Sequence, residues 1–398
     1  MAANTLSFTQ IGTILNSIVE QATGQKQLAV TDTASFITVA QTGLLTGTEN
    51  LMSAMSQVLS RTIISNRPYT RKFKGLEADA IMYGNHVRKI NYLDGKWEDN
   101  EYLPIEDGTA VDQQKPTKSK VIQTNFYGST DCEIPWTIFR NQILTAFRGP
   151  EELAGFITGL LQNISDRTEQ KHESMCRAAL ANLIGGIITI ANAPQIVHLL
   201  TEYNAESGQK LTATSVYAPD NFAPFMRWVY ARIGVVSDYL TERTTIYHQN
   251  LTVGDIARHT PKEMQRLFIY SPALRKSEAN ALSTTYHDKY LGIDVTETVS
   301  YWQSIQTPDS INVIPSYLDK DGTIKKRMNT TGDAAEALNQ ANIFGLLMDQ
   351  EAAGMTIIND RMTSAPYNGA GEYQNFWRKF TDRYWNDFTE NAVVFLLD

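Results

Sequence analysis

Apolar residues recur at three- and four-residue intervals between Gly149 and Gly186: Leu153, Phe156, Ile157, Leu160, Leu161 and Ile164, then Met175, Ala179, Leu180 and Leu183 beyond a polar interval from Ser165 to Ser174. The spacing predicts one long amphipathic helix. Gly149 suits the N-cap, Pro150 the first helical position, and Glu151 and Glu152 place negative charge at the positive end of the helix dipole. Gly185 and Gly186 predict its end. Such a helix is roughly 50 Å long, about twice what a small compact domain needs, so it reads as a backbone on which other parts are mounted. The polar interval argues against a membrane span.

Ahead of it, Phe8, Ile11, Ile14, Leu15, Ile18 and Val19 predict a short helix over Ser7 to Gln21, and Leu51, Met52, Met55, Val58 and Leu59 predict another over Thr48 to Thr62. A polar, Thr- and Gly-rich connection separates them, so the first 70 or so residues read as an arm that docks elsewhere. After Asn66-Arg67-Pro68 the pattern turns to partial alternation, in Ile81 to Tyr92 and Lys120 to Phe126, which predicts two strands. About 25 polar residues join them, too many for an ordinary tight connection. Acids (Glu98, Asp99, Glu101, Glu106, Asp107) precede bases (Lys115, Lys118, Lys120) in that interval, a charge split that suits either a neighbouring molecule or a solvated loop.

Ile134 to Phe147 leads into the long helix with Trp136, Phe139, Ile143 and Phe147 as expected core. Beyond Gly186, a helix over Asn221 to Leu240, short strands over Thr244 to His248 and Leu267 to Tyr270, a helix over Ser271 to Asn280, and strands over Ile293 to Val299 and Ile311 to Ile314 alternate as in one compact α+β or α/β domain from about 188 to 340. Gly332 to Asn339 reads as a capped helical turn. Residues 343–349 and 391–398 are apolar enough for buried strands. The aromatic run between them (Tyr367, Tyr373, Phe376, Trp377, Phe380, Tyr384, Trp385, Phe388) fits helical and strand periods equally.

Composition is ordinary for a folded chain of this length: 398 residues, 42% hydrophobic and 20% charged. With 35 Lys+Arg against 43 Asp+Glu the formal charge is −8, so the surface as a whole repels nucleic acid. Two cysteines, Cys132 and Cys176, exclude a disulfide framework and read as free thiols. No basic-then-apolar leader opens the chain, which gives an expectation of cytosolic synthesis. The phosphate-binding loop, the nucleophile elbow, H-E-x-x-H and the dinucleotide fingerprint are missing from the sequence. His172 and Cys176 share a helix face without a third local ligand, so a polar face is the better reading than a metal site. Asp319, Asp321 and Gly322 read as a turn, and NFWRKFTDRYW (375–385) as core aromatics in preference to a single-strand nucleic-acid platform.

The order of parts resembles the major capsid protein of tailed double-stranded DNA phages, the α+β fold named after phage HK-97, with the nearest likeness to small short-tailed Bacillus podoviruses. The likeness is carried by NRPYTRKFKG (66–75), TAFRGPEELAGFITGLLQNI (145–164), RLFIYSPALRKSEAN (266–280) and the run from FGLLMDQEAAG to NAVVFLLD at the end. It implies an N-terminal arm (1–72), an extended E-loop (about 80–131) and a P-domain with its spine helix (about 150–184) within 73–187, an A-domain (188–340), and a return to P-domain strands (341–398). It also implies a shell protein without catalytic, cofactor or metal sites. Copies would close into hexamers and pentamers of an icosahedral or prolate shell around double-stranded DNA, bound without sequence specificity. Scaffolding and portal proteins would be partners, with no membrane, assembly in the host bacterial cytoplasm and residence in the virion capsid. The expected inter-subunit contacts are Lys96, Trp97, Glu98, Asp99, Glu101, Glu106, Asp107, Lys115 and Lys118. Ending at Asp398, the chain is expected to lack an appended immunoglobulin-like domain. The alternatives are an encapsulin-like nanocompartment shell and a cytosolic enzyme whose site is assembled from distant residues.

Overall fold

The structure, a computed structural model, describes residues 7–24, 30–45, 50–51, 54–55, 58, 69–77, 86–93, 114, 120–280 and 295–398. Its dominant element is the long helix (α4, Pro150–Ile190), 41 residues and so about 60 Å in length. The helix begins as its sequence predicts, with Gly149 extended at the N-cap, Pro150 in the first turn and Glu151 and Glu152 beside the dipole. It does not stop at Gly185 and Gly186. Both glycines lie inside it because neighbours press on them: a Cβ on Gly186 would stand 2.4 Å from the Phe388 ring, and one on Gly185 3.1 Å from Pro315 and Val313. The helix ends at Ala191, whose left-handed conformation (φ 55°) turns its N–H back to Ile187 O. By length and apolarity this helix passes the test for a membrane span, but most of its apolar window is buried inside the chain, as in a core helix.

The first half of α4 shares a core with the N-terminal helices. Ser7 caps α1 (Phe8–Thr23) in a reciprocal box with Gln10. The stretch expected to be a polar connection contains a further helix, α2 (Thr33–Leu45), whose Phe36, Val39 and Ala40 are buried. Its polar residues are mostly threonine and serine, which tolerate a helix when their hydroxyls bond back to the preceding turn, as Thr38 and Thr42 do. Ile11, Leu15, Ile18, Phe36, Leu51 and Met55 close on Ile143, Leu153, Ile157 and Phe376. The arm thus packs on this chain's own helix.

A three-stranded antiparallel sheet, in the order β12 (Ala353–Ser364), β13 (Tyr373–Asn386), β3 (Thr130–Phe139), lies along α4. The ambiguous aromatic run is therefore strand. Every second residue faces inward, so Phe376 stacks on Trp136 (5.7 Å) and Phe380 meets the His172 ring edge-on (5.2 Å). Ile143, in the short helix α3 (Arg140–Ala146), and Phe147 are buried as expected, and Trp136 is half-buried. Phe139 is not core: it takes an outward position of β3, 47% exposed.

The second half of α4 covers one face of a mixed five-stranded sheet, in the order β4 (Ile196–His198), β14 (Ala392–Leu396), β11 (Ile343–Asp349), β5 (Gln265–Tyr270), β6 (Val295–Val299). Alternation sorts β14 cleanly: Val394 and Leu396 face α4, whereas Val393 and Phe395 face the core under α5 (Leu199–Ser207) and α6 (Pro219–Thr241). Residues 188–340 thus do not supply the whole of this sheet, and 341–398 does not return wholly to one side. β14 and β11 come from that last segment, and with β5 they form the interior of the sheet, buried on both faces. Of the predicted short elements, Thr244 to His248 is not a strand beyond one isolated bridge, Thr244 to Arg258. Gly332 to Asn339 is a turn running into β10 (Leu338–Gln340), which pairs with β7 (Ile311–Val313). The Asp319–Gly322 turn joins β8 (Ser316–Leu318) to β9 (Ile324–Lys326), with Lys325 3.2 Å from Asp321 and also paired with Asp319.

Two glycines of the same helix should respond oppositely to alanine. Gly159→Ala meets nothing within 4 Å and should stabilise the unassembled chain by ~0.5–1 kcal/mol through helix propensity alone. Gly186→Ala drives a methyl into Phe388 and should destabilise it by ~1–3 kcal/mol, both read from denaturant unfolding.

Candidate assembly interface

The polar interval that interrupts the α4 stripe is not a solvated face. A strap, residues 69–77, extended at its start and closing in a tight helical turn at Lys74–Leu76, lies along it, and the helix carboxylates receive its main chain. Tyr69 N–H donates to Asp166 (2.8 Å), Arg71 N–H to Glu169 (3.2 Å), and Lys72 N–H to Glu173 (3.2 Å); Phe73 N–H donates to Glu297 of β6. Residues 166, 169 and 173 fall on one helix side by their spacing, which is why a single segment reaches all three. Side chains tighten the seam. Arg71, buried, bonds Glu169 at 2.9 Å and pairs with Glu77, and its other near neighbour is His172 Nδ1 at 3.4 Å. His172 Nε2 faces the buried Asp382 of β13 at 3.0 Å. Cys176 lies with its Sγ 3.5 Å from Met355 Sδ. The expected polar face holding His172 and Cys176 is therefore a buried seam. Among the described residues no three His, Cys, Asp or Glu side chains gather as metal ligands.

Glu173 is the centre of that seam. It accepts from the Tyr69 hydroxyl and from Arg177 Nη2 (2.8 Å), while the Arg177 guanidinium covers the Tyr301 ring at 3.8 Å. Burial works to raise the Glu173 pKa, but the bonds from Tyr69, Arg177 and Lys72 outweigh it and hold the carboxyl below its ordinary value. The same bond to Glu173, with burial, pushes the Tyr69 phenol up to about 12.

The strands predicted around residues 81–126 are β1 (His86–Tyr92) and β2 (Val121–Tyr127), an antiparallel pair with Tyr92 opposite Val121 and Ile90 opposite Gln123. Alternation splits the ribbon into two faces, each mixing apolar and polar residues. Turned outward are Ile90 (50% exposed), Tyr92 (71%), Val121 (49%) and Tyr127 (70%). Turned inward are Lys89, the buried Asn91 and the half-buried Ile122, Thr124 and Phe126, with Leu93 buried just beyond the strand, and Lys89 reaches Glu351 (2.8 Å), Asp387 (3.1 Å) and Glu390. Burial opposes the charge of Lys89, but Asp387 and Glu390 outweigh it and hold the ammonium above its ordinary pKa.

Lys96, Trp97, Glu98, Asp99, Glu101, Glu106, Asp107, Lys115 and Lys118, the contacts expected from the sequence, all lie outside the described residues. The outward tetrad and the Lys89 cluster went unnoticed in the sequence. The alternation that predicted the strands also carries the signal for the tetrad: its apolar phase includes Ile90, Tyr92 and Val121. No local signal joins Lys89 to residues about three hundred positions away.

A model of the Phi29-like phage major capsid protein family matches residues 15–396. The chain belongs to that family. Its fold is the HK-97-like capsid fold: it superposes on a chain from the capsid structure of Staphylococcus phage Andhra with a TM-score of 0.54 at 9% identity, over 85% of this chain and 87% of the other. A chain from the structure of head fiber and inner core protein gp22 of native bacteriophage P68 gives 0.52 at 9% identity over the same shares. No curated protein sequence matches. This major capsid protein forms the shell of a phage head by self-assembly into capsomers, and its place is the virion capsid.

For the capsid protein's seam, Glu173→Gln leaves the buried Arg177 without its countercharge and should cost ~3–5 kcal/mol in denaturant unfolding. The pH sign follows from the two shifts. The Glu173 contribution is complete above the ordinary carboxylate range and fades as pH falls through its depressed value; the Tyr69 contribution is complete below pH 10 and fades as pH rises through about 12. Tyr69→Phe should remove the alkaline loss and also shrink the acid limb, because one of the bonds that hold Glu173 down goes with the hydroxyl, read as melting temperature against pH.

Proposed function

We propose that copies of this chain close into the hexamers and pentamers of an icosahedral or prolate shell around the double-stranded DNA genome of a tailed phage. In this reading each hairpin lays its outward face across the P-domain of the neighbouring copy. One observation carries it: the hairpin leaves Ile90, Tyr92, Val121 and Tyr127 exposed together on one face, a concentration of large side chains suited to a contact. The P-domain comprises α4 and the three-stranded sheet, and the A-domain comprises residues 188–340 completed by β11 and β14. Catalysis has no part in this role, which geometry performs. The formal charge of −8 suits a wall that encloses DNA without holding it. Scaffolding and portal proteins would be met during assembly in the host cytoplasm.

Replacing Tyr92 and Tyr127 together by aspartate tests the contact. Both are exposed, so the unassembled chain should melt as before, with a stability change within ~0.5 kcal/mol. Particles co-expressed with scaffold should disappear from negative-stain images and from the fast-sedimenting fraction. Shells of normal yield from the double variant would refute the contact.

A further inference from the structure

Lys89 is the one charged side chain on the inner face of the hairpin among the described residues, and three carboxylates from two separate turns converge on it. Glu351 comes from the turn between β11 and β12, Asp387 and Glu390 from the turn between β13 and β14. Asp387 and Glu390 are buried, and Lys89 is one-fifth exposed. Oε1 of Glu390 is shared: it meets Lys89 Nζ and also Arg258 Nη2 at 3.0 Å. Arg258 is fixed in turn by its Nε, which donates to Thr389 O at 3.0 Å. One carboxylate oxygen therefore stands between a cation of the hairpin and a cation of the body. The remaining anions at Lys89 are Asp387, which also accepts from Thr389 N–H and Oγ1, and Glu351; the neighbouring His248 is turned to Asn391. The apolar anchor of the hairpin, Leu93 beside Gly254, is indifferent to charge.

We propose that this cluster is a releasable latch holding the hairpin to its own body, and that protonation of Glu390 opens it. A neutral Glu390 no longer separates Lys89 from Arg258, and two cations that close repel each other in a partly dry site. The hairpin strand is the member free to move, since Arg258 is bonded to the 387–391 turn and Lys89 belongs to a two-stranded ribbon. The proton required is available near neutrality: burial raises the Glu390 carboxyl to about 7, beyond the reach of Lys89 and Arg258 to hold it down. Release of the hairpin from its own chain is a step before any contact with a neighbour, so the latch is testable on the lone protomer, independently of whether copies assemble.

Amide hydrogen exchange on the full unassembled chain, corrected for the intrinsic pH dependence, reads it directly. Residues 86–92 and 121–127 should exchange ~5- to 10-fold faster at pH 6 than at pH 8.5, while α4 keeps its protection. Glu390→Gln should exchange at the fast rate at both pH values. The same variant should melt above wild type at pH 8.5 and level with it at pH 5, because a carboxyl raised in the fold stabilises below its unfolded value and loses that contribution as pH rises through about 7. Lys89→Met should be fast at every pH, and serves as the second variant if Glu390→Gln misfolds. Hairpin exchange in wild type that is equal at the two pH values, or faster at pH 8.5, overturns the latch. So does a pH response that survives in Glu390→Gln, or a Lys89→Met hairpin as protected as wild type.

Discussion

The architecture depends on one helix that must be apolar in two places and charged between them. Its first half closes the core of the arm, its second half covers the five-stranded sheet, and the carboxylates of Asp166, Glu169 and Glu173 stand where neither core reaches. A carboxylate as buried as Glu173 is tolerable only when bonded, and this row is met by main chain and side chains together. Strap N–H groups, which an extended segment away from any sheet would otherwise leave unpaired, answer them. The seam thereby ties residues 69–77 to a helix about a hundred positions later, and through Asp382 to the three-stranded sheet.

The hairpin obeys a different logic. Within a chain that folds for its own sake, the apolar phase of a strand faces the core and the charged phase faces water. Here Lys89 is turned in beside Ile122 and Phe126 and caught by Asp387, Glu390 and Glu351, while Ile90, Tyr92, Val121 and Tyr127 are turned out beside Arg88. An electrostatic anchor on the inner face also differs in kind from an apolar one: it is strong when its partners are charged and weakens when one of them is neutralised.

Close approach at Gly186 makes a related point. Two consecutive glycines at the end of a periodic stretch look like a stop signal, because glycine is the common residue beyond a helix C-terminus. The tertiary neighbour reverses that meaning. Phe388, at the corner between β13 and β14, fits against the helix only where a side chain is missing, so the glycines are kept inside the helix by packing and the helix runs on to Ile190. The chain then turns at an alanine, a residue with no sequence signal for the left-handed conformation it adopts.

By itself the sequence determined the elements whose signals are local. The start of α4, α1 with its Ser7 cap, the paired strands β1 and β2, the two apolar strands β11 and β14, and the order of parts that resembles a capsid protein all rest on periodicity or on neighbours a few residues apart. What only the tertiary structure decided rests on partners far away in the chain. The aromatic run 373–386 is a strand because it lies between β12 and β3, and β11 and β14 are the middle of a sheet begun by residues 196–270. Lys89 is an anchor and not a solvated charge because residues 351, 387 and 390 fold beneath it. Periodicity says which side chains share a face; it carries no information about what that face will meet, and in this protein the meeting gives each face its role.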